Sequence, residues 1–442
     1  MKCLIIAAGK GSRLTKTGQS KPLIKILGVP LIERVIRSVK STGVTEFFVV
    51  LGYKSKLIQS FLQSLSIKLD ININMVQNND WEKENGLSVL KAQEYLQEPF
   101  ILLMTDHLFD AAIVFDLLSL PVSADQLFLA VDENINNSLI DLEDATKVKI
   151  KSGKVQNIGK NIKNYNAIDT GIFLCLPFIF DALHKSQRVN NDFTLSGAIR
   201  LLAKEGKVFA HNINGRFWID IDTEKDLEKA EQELLKQLRD KPNDGPVSRF
   251  LNRPLSIKIS RQLVIRKITP NQISIFSFFL SIIAAGIFTL KGYIPLLVGG
   301  ILAQFASVID GCDGEVARLK YLKSDYGSWL DAVLDRYADA FLLFGLMWHA
   351  FAVNNNPLIL LFGFLAIIGS FVLSYTADKY DNLMRQRISR NKSFRLGRDV
   401  RVFFVMLAAL TNQIYSALIF IAVIMNLEAI RRIIVCRNNE KY

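Results

Sequence analysis

The stretch DGCDGEVARLKYLKSDYGSWLDAVLD, Asp310 to Asp335, carries four carboxylates in two pairs. Asp310 and Asp313 stand three residues apart, Asp331 and Asp335 four. On helices either spacing puts both side chains on one face. An apolar run, Tyr293 to Ile309, leads into the first pair, and another, Tyr337 to Val353, leaves the second. Both pairs are therefore expected at one membrane face, at the end of one span and the start of the next. Ionisable groups at such depth are costly and mark functional sites. Four hard oxygen donors on facing helices suit one or two divalent cations, magnesium or manganese. Gly314 and Gly327 leave room for a phosphate beside the metals, and Arg318 offers it a forked donor.

Working outward, the 442 residues are half hydrophobic, but unevenly so. Up to about Leu238 the periodicity is mixed, as in a soluble protein; after Ile273 long apolar runs dominate. The composition predicts a soluble head on a membrane domain. The boundaries fall at 1–238 for the head, 239–268 for a linker and interfacial helix, and 269–442 for the membrane domain. Four cysteines lie far apart with no C-x-x-C pair, which argues against a disulfide framework or a zinc site and fits a reducing compartment. The N-terminus MKCLIIAAGKGS reads as a strand and a glycine loop rather than a signal peptide, so the head is expected in the cytoplasm. The net charge of +12 lies largely between apolar runs, where it sets topology and meets phosphates or anionic lipid head groups. No nucleic-acid motif accompanies it.

In the head, residues 2–6 read as a buried strand running into AAGKGSRL. Ala7, Ala8, Gly9 and Gly11 bring backbone amides close to nucleotide phosphates, while Lys10, Arg13 and Lys21 neutralise charge. The loop is neither G-x-G-x-x-G nor a P-loop. Alternating elements follow: a helix from Leu31, strand 46–51, helix 54–65, strand 71–76, helix 87–96 and strand 100–104. That rhythm predicts an α/β Rossmann-like head with a mostly parallel sheet. Asp106 ends a strand where a sheet meets its ligand. Asp220 and Asp222 alternate, so only one can face a site if their segment is a strand. Asn85 and Gly86 are candidates for base or ribose contact, with Ser88 serving equally as a helix start. Lys160 and Asp169 are candidates for the second substrate. The four histidines show no ligand spacing.

Two resemblances sharpen this reading. LIIAAGKGSRL with SKPLIKILGVPLIERVI resembles the sugar-nucleotide and alcohol-phosphate nucleotidyltransferases. It implies in-line attack of a phosphate monoester on a nucleoside triphosphate, with Arg13 and Lys21 carrying charge and Asp106 and Asp220 holding the metal. The pattern D-x2-D-G-x2-A-R-x8-G-x3-D-x3-D, complete in Asp310, Asp313, Gly314, Ala317, Arg318, Gly327, Asp331 and Asp335, resembles the CDP-alcohol phosphotransferases. It implies a two-metal site, cytidine diphosphate held by the first pair and the glycine, Asp331 shared between the ions, and Asp335 as general base.

Residues 242–246 read as a linker, and 247–267 as an amphipathic helix on the inner membrane surface. Spans are expected near 273–290, 293–310, 331–353, 358–376, 399–411 and 413–430, an all-α six-helix transmembrane domain. Lys and Arg cluster in alternate connections, placing both termini and the aspartates on the cytoplasmic side. The loop 379–401 is the most basic part of the chain, and Arg387, Arg390, Arg398 and Arg401 are candidates to hold an acceptor phosphate.

One domain is thus expected to make a CDP-alcohol from CTP and a phosphorylated polyol, and the other to consume it with release of CMP. The fusion, with DYGSWLDAVLDRYAD and GRDVR, is similar to the family of bifunctional inositol-1-phosphate cytidylyltransferases and di-myo-inositol phosphate phosphate synthases. That resemblance implies inositol-1-phosphate as both donor and acceptor. The rival is a membrane-lipid acceptor or another phospho-alcohol. A non-catalytic anchor is argued against by complete ligand sets in both domains. The phosphotransferase resemblance also admits a homodimer.

Overall fold

The computed structural model describes residues 1–14, 20–121, 123, 125–239, 245–377, 379–380 and 397–439. Two compact units emerge, Met1–Glu233 and Leu234–Tyr442.

The first unit is built on a nine-stranded sheet, with β2 (Lys25–Ile26) and β3 (Val29–Pro30) paired separately as a small ribbon. Strands β1 (Lys2–Ala7), β4 (Glu46–Leu51), β5 (Asn72–Gln77) and β6 (Phe100–Met104) run parallel, with β1 between β4 and β6. Their apolar runs are buried because helices cover both faces. One face meets α1 (Leu31–Lys40), α2 (Ser55–Leu69) and α4 (Ala111–Leu118); the other meets α3 (Asn85–Leu90), α5 (Phe178–Asn190) and α6 (Leu195–Lys204). Strand ends of β1 and β6 deliver the glycine loop and Asp106 to one edge.

Beyond β6 the sheet is mixed rather than mostly parallel. Strand β11 (Ala167–Cys175) runs antiparallel to β6 and to β8 (Leu127–Asp132), β12 (Val208–Asn212) lies parallel to β8, and β9 (Lys147–Lys151) and β10 (Lys154–Gly159) form an antiparallel edge. Their lysines and short lengths hid them from a reading by apolar runs. Gly171 interrupts β11 with φ +71°, a left-handed value that shifts the register against β8. The helix expected over 87–96 is shorter: α3 ends at Leu90 and a 3₁₀ turn, Gln93–Tyr95, follows. Val89, Ala92 and Leu96 are nevertheless all fully buried.

The second unit is helical. Helix α7 (Glu224–Lys236) precedes it, and a π turn, Ser248–Asn252, opens α8 (Arg253–Ile265). Helix α9 (Pro270–Phe288) starts at a capping box of Thr269 and Gln272. Then come α10 (Tyr293–Leu319), α11 (Asp325–Asn354, capped by Ser324), α12 (Leu358–Tyr375), and helices Arg398–Thr411 and Ile414–Asn439. Among the described residues, helices stand at each of the six expected spans, but only α9, α10 and α12 are long and apolar enough to cross a membrane. Helix α11 carries aspartates along its first half, and Arg398–Thr411 has only 14 residues, short of the ~20 a span needs. Outward-facing Phe276, Phe279, Ile294, Phe305 and Phe364 give the unit a greasy exterior.

Small residues let these helices approach. A Cβ on Gly345 of α11 would lie 2.5 Å from the Ala285 carbonyl of α9, whereas one on Gly286 would meet nothing within 4 Å. Gly345→Leu is expected to cost about 1–3 kcal/mol by overpacking. The thermal midpoint of detergent-solubilised protein should fall for Gly345→Leu and stay near wild type for Gly286→Leu.

Candidate active sites

The head site forms where β1 and β6 end. It is a cavity of about 340 Å³ lined by Ala8, Gly9, Arg13, Asp106, Lys160, Asp169, Asp220 and Asp222, among others. Ala7, Gly11 and Lys21 line the adjoining recess. A two-stranded ribbon sets its acidic centre: β7 (His107–Phe109) pairs with β13 (Trp218–Asp220), putting Asp220 opposite His107. Because β13 ends at Asp220, the alternation argument stops there, and both Asp220 and Asp222 reach the cavity.

Cations interleave with the carboxylates. Lys21 Nζ donates to Asp106 Oδ2 and to Asp222 Oδ1, each at 2.6 Å. Arg13 donates to Asp222 Oδ2 at 2.8 Å and to Asp144 Oδ2 at 2.5 Å, and Lys160 donates to the other Asp144 oxygen at 2.5 Å. Oxygens of Asp106 and Asp220 and a ring nitrogen of His107 lie within 4.8 Å of one another, a set able to hold a metal ion. His107 and Asp144 escaped the sequence reading. Asp144 sits in a loop without a motif, and His107 shows its role only through the ribbon pairing.

The charges respond to this packing. Burial opposes ionisation of Asp106, but the Lys21 ammonium and His107 outweigh it and hold the carboxyl down at about 2. Burial likewise opposes the charge on His107, yet Asp220 and Asp106 lift it to about 10. Burial pushes Asp169 up to about 6, against the Gly171 N–H that bonds its carboxylate. Asp222 is raised by burial and by Asp220, despite Lys21.

Other expected contacts are only partly met. Asn85 lines the cavity, although its side-chain oxygen accepts the Leu195 N–H. Gly86 packs against the Phe193 carbonyl instead of the cavity. Ser88 is not a helix cap: its hydroxyl, buried, accepts from Asn78.

In the helical unit, one oxygen each from Asp310, Asp331 and Asp335 lie within 4.8 Å of one another. Asp313 neighbours them, bonded by the Ser274 hydroxyl at 2.5 Å, while Ser277 bonds Asp310 at 3.0 Å. Arg398 Nη1 meets Asp310 at 2.5 Å and Asp335 at 2.6 Å. Its Nε donates to Asp339 at 3.2 Å, and Asp339 also takes Arg401 at 2.7 Å. The cavity here, about 450 Å³, is lined by the four aspartates, Gly314, Arg318, Arg398 and Arg401. A Cβ on Gly314 would stand 3.4 Å from Arg318 Nη1, so the glycine keeps that guanidinium's surroundings open. Gly327 lies in the first turn of α11 beside Ser324 and Asn271, outside the cavity lining. Arg387 and Arg390 lie outside the described residues. Asp339 was missed, though it continues the four-residue spacing of Asp331 and Asp335.

Helix α8 contributes a buried polar clasp. Arg253 donates to Glu315 Oε1 at 2.6 Å, Ser256 to the same oxygen at 2.6 Å, and Ser260 to Oε2 at 2.7 Å. Arg253, expected on a surface-lying basic face, is thus turned inward onto α10.

The two stretches of chain that carry these acidic cavities match recognised families. Residues 3–137 match the MobA-like NTP transferase domain, and residues 267–428 match the CDP-alcohol phosphatidyltransferase family. One unit is a nucleotidyltransferase and the other a CDP-alcohol phosphotransferase of membrane-protein type. The "Bifunctional IPC transferase and DIPP synthase" of Aquifex aeolicus (strain VF5) is 32% identical over 97% of this chain and 96% of its own length. The protein of the same name from Rubrobacter xylanophilus is 33% identical over 97% of this chain and 95% of its own. The solved "inositol-1-phosphate CTP transferase from T. maritima" is 24% identical, covering 52% of this chain and 93% of its own, with a TM-score of 0.48. The chain belongs to the family of bifunctional IPC transferases and DIPP synthases.

Two outcomes test the geometry. Arg253→Ala leaves Glu315 buried without its cation and is expected to cost about 3–5 kcal/mol, whereas Arg253→Met with Glu315→Leu should recover most of that in detergent unfolding. Asp169 holds its proton more tightly folded than unfolded, so its contribution to stability is full at low pH and is lost as pH rises through about 6. Asp169→Asn should therefore match wild type near pH 4 in head unfolding and gain on it above pH 6.

Proposed function

We propose that the chain makes CDP-inositol from CTP and inositol-1-phosphate in its head and uses it in its helical unit, transferring phosphoinositol to a second inositol-1-phosphate with release of CMP. The observation that carries this reading is a pair of separate acidic clusters in one chain, matched over 97% of its length by relatives named for two activities.

In the head, a phosphate oxygen of inositol-1-phosphate attacks the α-phosphorus of CTP and pyrophosphate leaves. The loop Ala7–Gly11 receives the phosphates, and Arg13 and Lys21 exchange their present carboxylate partners for phosphate oxygens. Asp106 and Asp220 would hold a magnesium or manganese ion, which would supply positive charge to polarise the phosphoryl oxygens. Lys160, now on Asp144, is placed to take the sugar phosphate. Positioning and charge neutralisation suffice, since the protein forms no covalent bond.

In the helical unit, Asp335 accepts the proton of the attacking hydroxyl, and Asp310, Asp313 and Asp331 would hold the metals. Arg318 and Gly314 accommodate the diphosphate. Arg398 and Arg401, set by Asp339, receive the anionic acceptor; a cavity with two such guanidiniums suits a phosphorylated polyol better than an uncharged lipid. The basic connections support a head and termini on the cytoplasmic side.

Asp106→Asn is expected to lose pyrophosphate release by roughly 10³-fold or more while still forming CMP from supplied CDP-inositol. Asp335→Asn should show the reverse. Mixed together, the two variants should regain phosphodiester synthesis through free CDP-inositol; a mixture as dead as its parts would contradict the division of labour.

A further inference from the structure

The nucleotidyltransferase head carries an imidazole that the two-carboxylate account leaves without work. His107 Nε2 points between Asp220 Oδ1, at 3.5 Å, and Asp106 Oδ1, at 3.8 Å. Its other nitrogen, Nδ1, stands 2.7 Å from the Thr170 carbonyl. A carbonyl can only accept, so Nδ1 carries a proton, and in the neutral ring the lone pair on Nε2 is turned into the acidic centre. Metal-bound histidines are held in this manner, their outer N–H donated to a backbone carbonyl.

The ring's seat is built for it. Gly171 follows Thr170 with φ +71°, and a Cβ there would fall 2.1 Å from Nδ1. Only glycine combines that backbone with that space. Trp218 flanks the ring at 6.2 Å between centroids, and the ribbon pairing fixes His107 opposite Asp220. The remaining oxygens are sorted in the same sense. Lys21 takes Asp106 Oδ2, and Lys21 and Arg13 take both oxygens of Asp222. Asp106 Oδ1 and Asp220 Oδ1 are left facing Nε2, and Asp220 Oδ1, itself buried, makes no hydrogen bond among the described residues.

We propose that His107 Nε2 is a third protein ligand of the head's metal ion, beside Asp106 and Asp220. The inference rests on the reading of the head as a metal-dependent cytidylyltransferase. One nitrogen among oxygens shifts preference from magnesium toward manganese and other first-row ions, which accept imidazole readily. A proton and a metal ion compete for the same lone pair, so metal binding must displace any proton on Nε2.

Pulsed electron paramagnetic resonance on full-length protein in detergent, loaded with Mn²⁺, reads the ligand directly. The described cluster in the helical unit offers oxygens alone, so a directly coordinated nitrogen signal reports on the head. A ¹⁴N coupling is expected in wild type, replaced by a ¹⁵N pattern when the protein is made with ¹⁵N-histidine. It should be lost in His107→Gln and kept in His184→Gln. The isotope substitution needs no mutant, so a folding defect cannot mimic the result. Head-bound Mn²⁺, defined as the portion lost in Asp106→Asn, with no histidine coupling would overturn the proposal and leave the transferase reading standing. If Asp106→Asn removed no bound Mn²⁺, the proposal and the head's metal assignment would fall together, though pyrophosphate release could still be scored separately.

Discussion

Gathering carboxylates out of water is the constraint on which both sites depend. Like charges a few ångströms apart in a low-dielectric setting repel strongly, and each must be desolvated to get there. The chain meets this cost in both units by threading a cation through the acids. In the head Lys21 joins Asp106 to Asp222. In the helical unit Arg398 joins Asp310, Asp335 and Asp339. Each cation holds the acids at a spacing that a metal ion and phosphates can take over. Substrate binding then becomes an exchange of partners and not the creation of a charged site from nothing.

The supporting structure follows from that demand. The head places its acids at strand ends and on a short ribbon, where backbone pairing fixes them without filling the space between. The helical unit uses consecutive turns of α10 and α11, steadied by hydroxyls of Ser274 and Ser277 from α9. Behind the acids, Asp339 and Arg401 form a second pair that keeps Arg398 in place. Glu315, on the same helix as Asp310 and Asp313, is clasped by α8, so the linker helix is tied through buried charge to the helix that carries those two aspartates.

What was legible in the sequence was what is local. The aspartates of α10 and α11 announce themselves by helical spacing, and β1, β4 and β6 by short apolar runs ending at glycine or aspartate. Long-range partners were not legible. Lys21 meets Asp106 across 85 residues and Asp222 across 201, and nothing in the chain marks such pairs. The antiparallel half of the sheet was hidden by lysines and by Gly171, whose role is to break a strand's regularity. By its apolar run helix α11 reads as an ordinary span, yet its first half is spent on aspartates that face the cavity. Asp339 shows the opposite case: its spacing was in plain view, but its meaning lay in Arg398 and Arg401, 59 and 62 residues away.

Both units serve one chemistry, the handling of phosphates by cations and oxygen ligands, but they treat the cytidine nucleotide in opposite directions. The head would install it and the helical unit would remove it, so a CDP-alcohol is the product of one and the substrate of the other. Phosphorus NMR on the purified protein supplied with CTP, inositol-1-phosphate and magnesium follows every species at once. The account predicts pyrophosphate and a transient CDP-alcohol, then CMP and a new phosphodiester in equal amounts. Pyrophosphate and a CDP-alcohol that persists unconsumed, even with fresh inositol-1-phosphate, would contradict it.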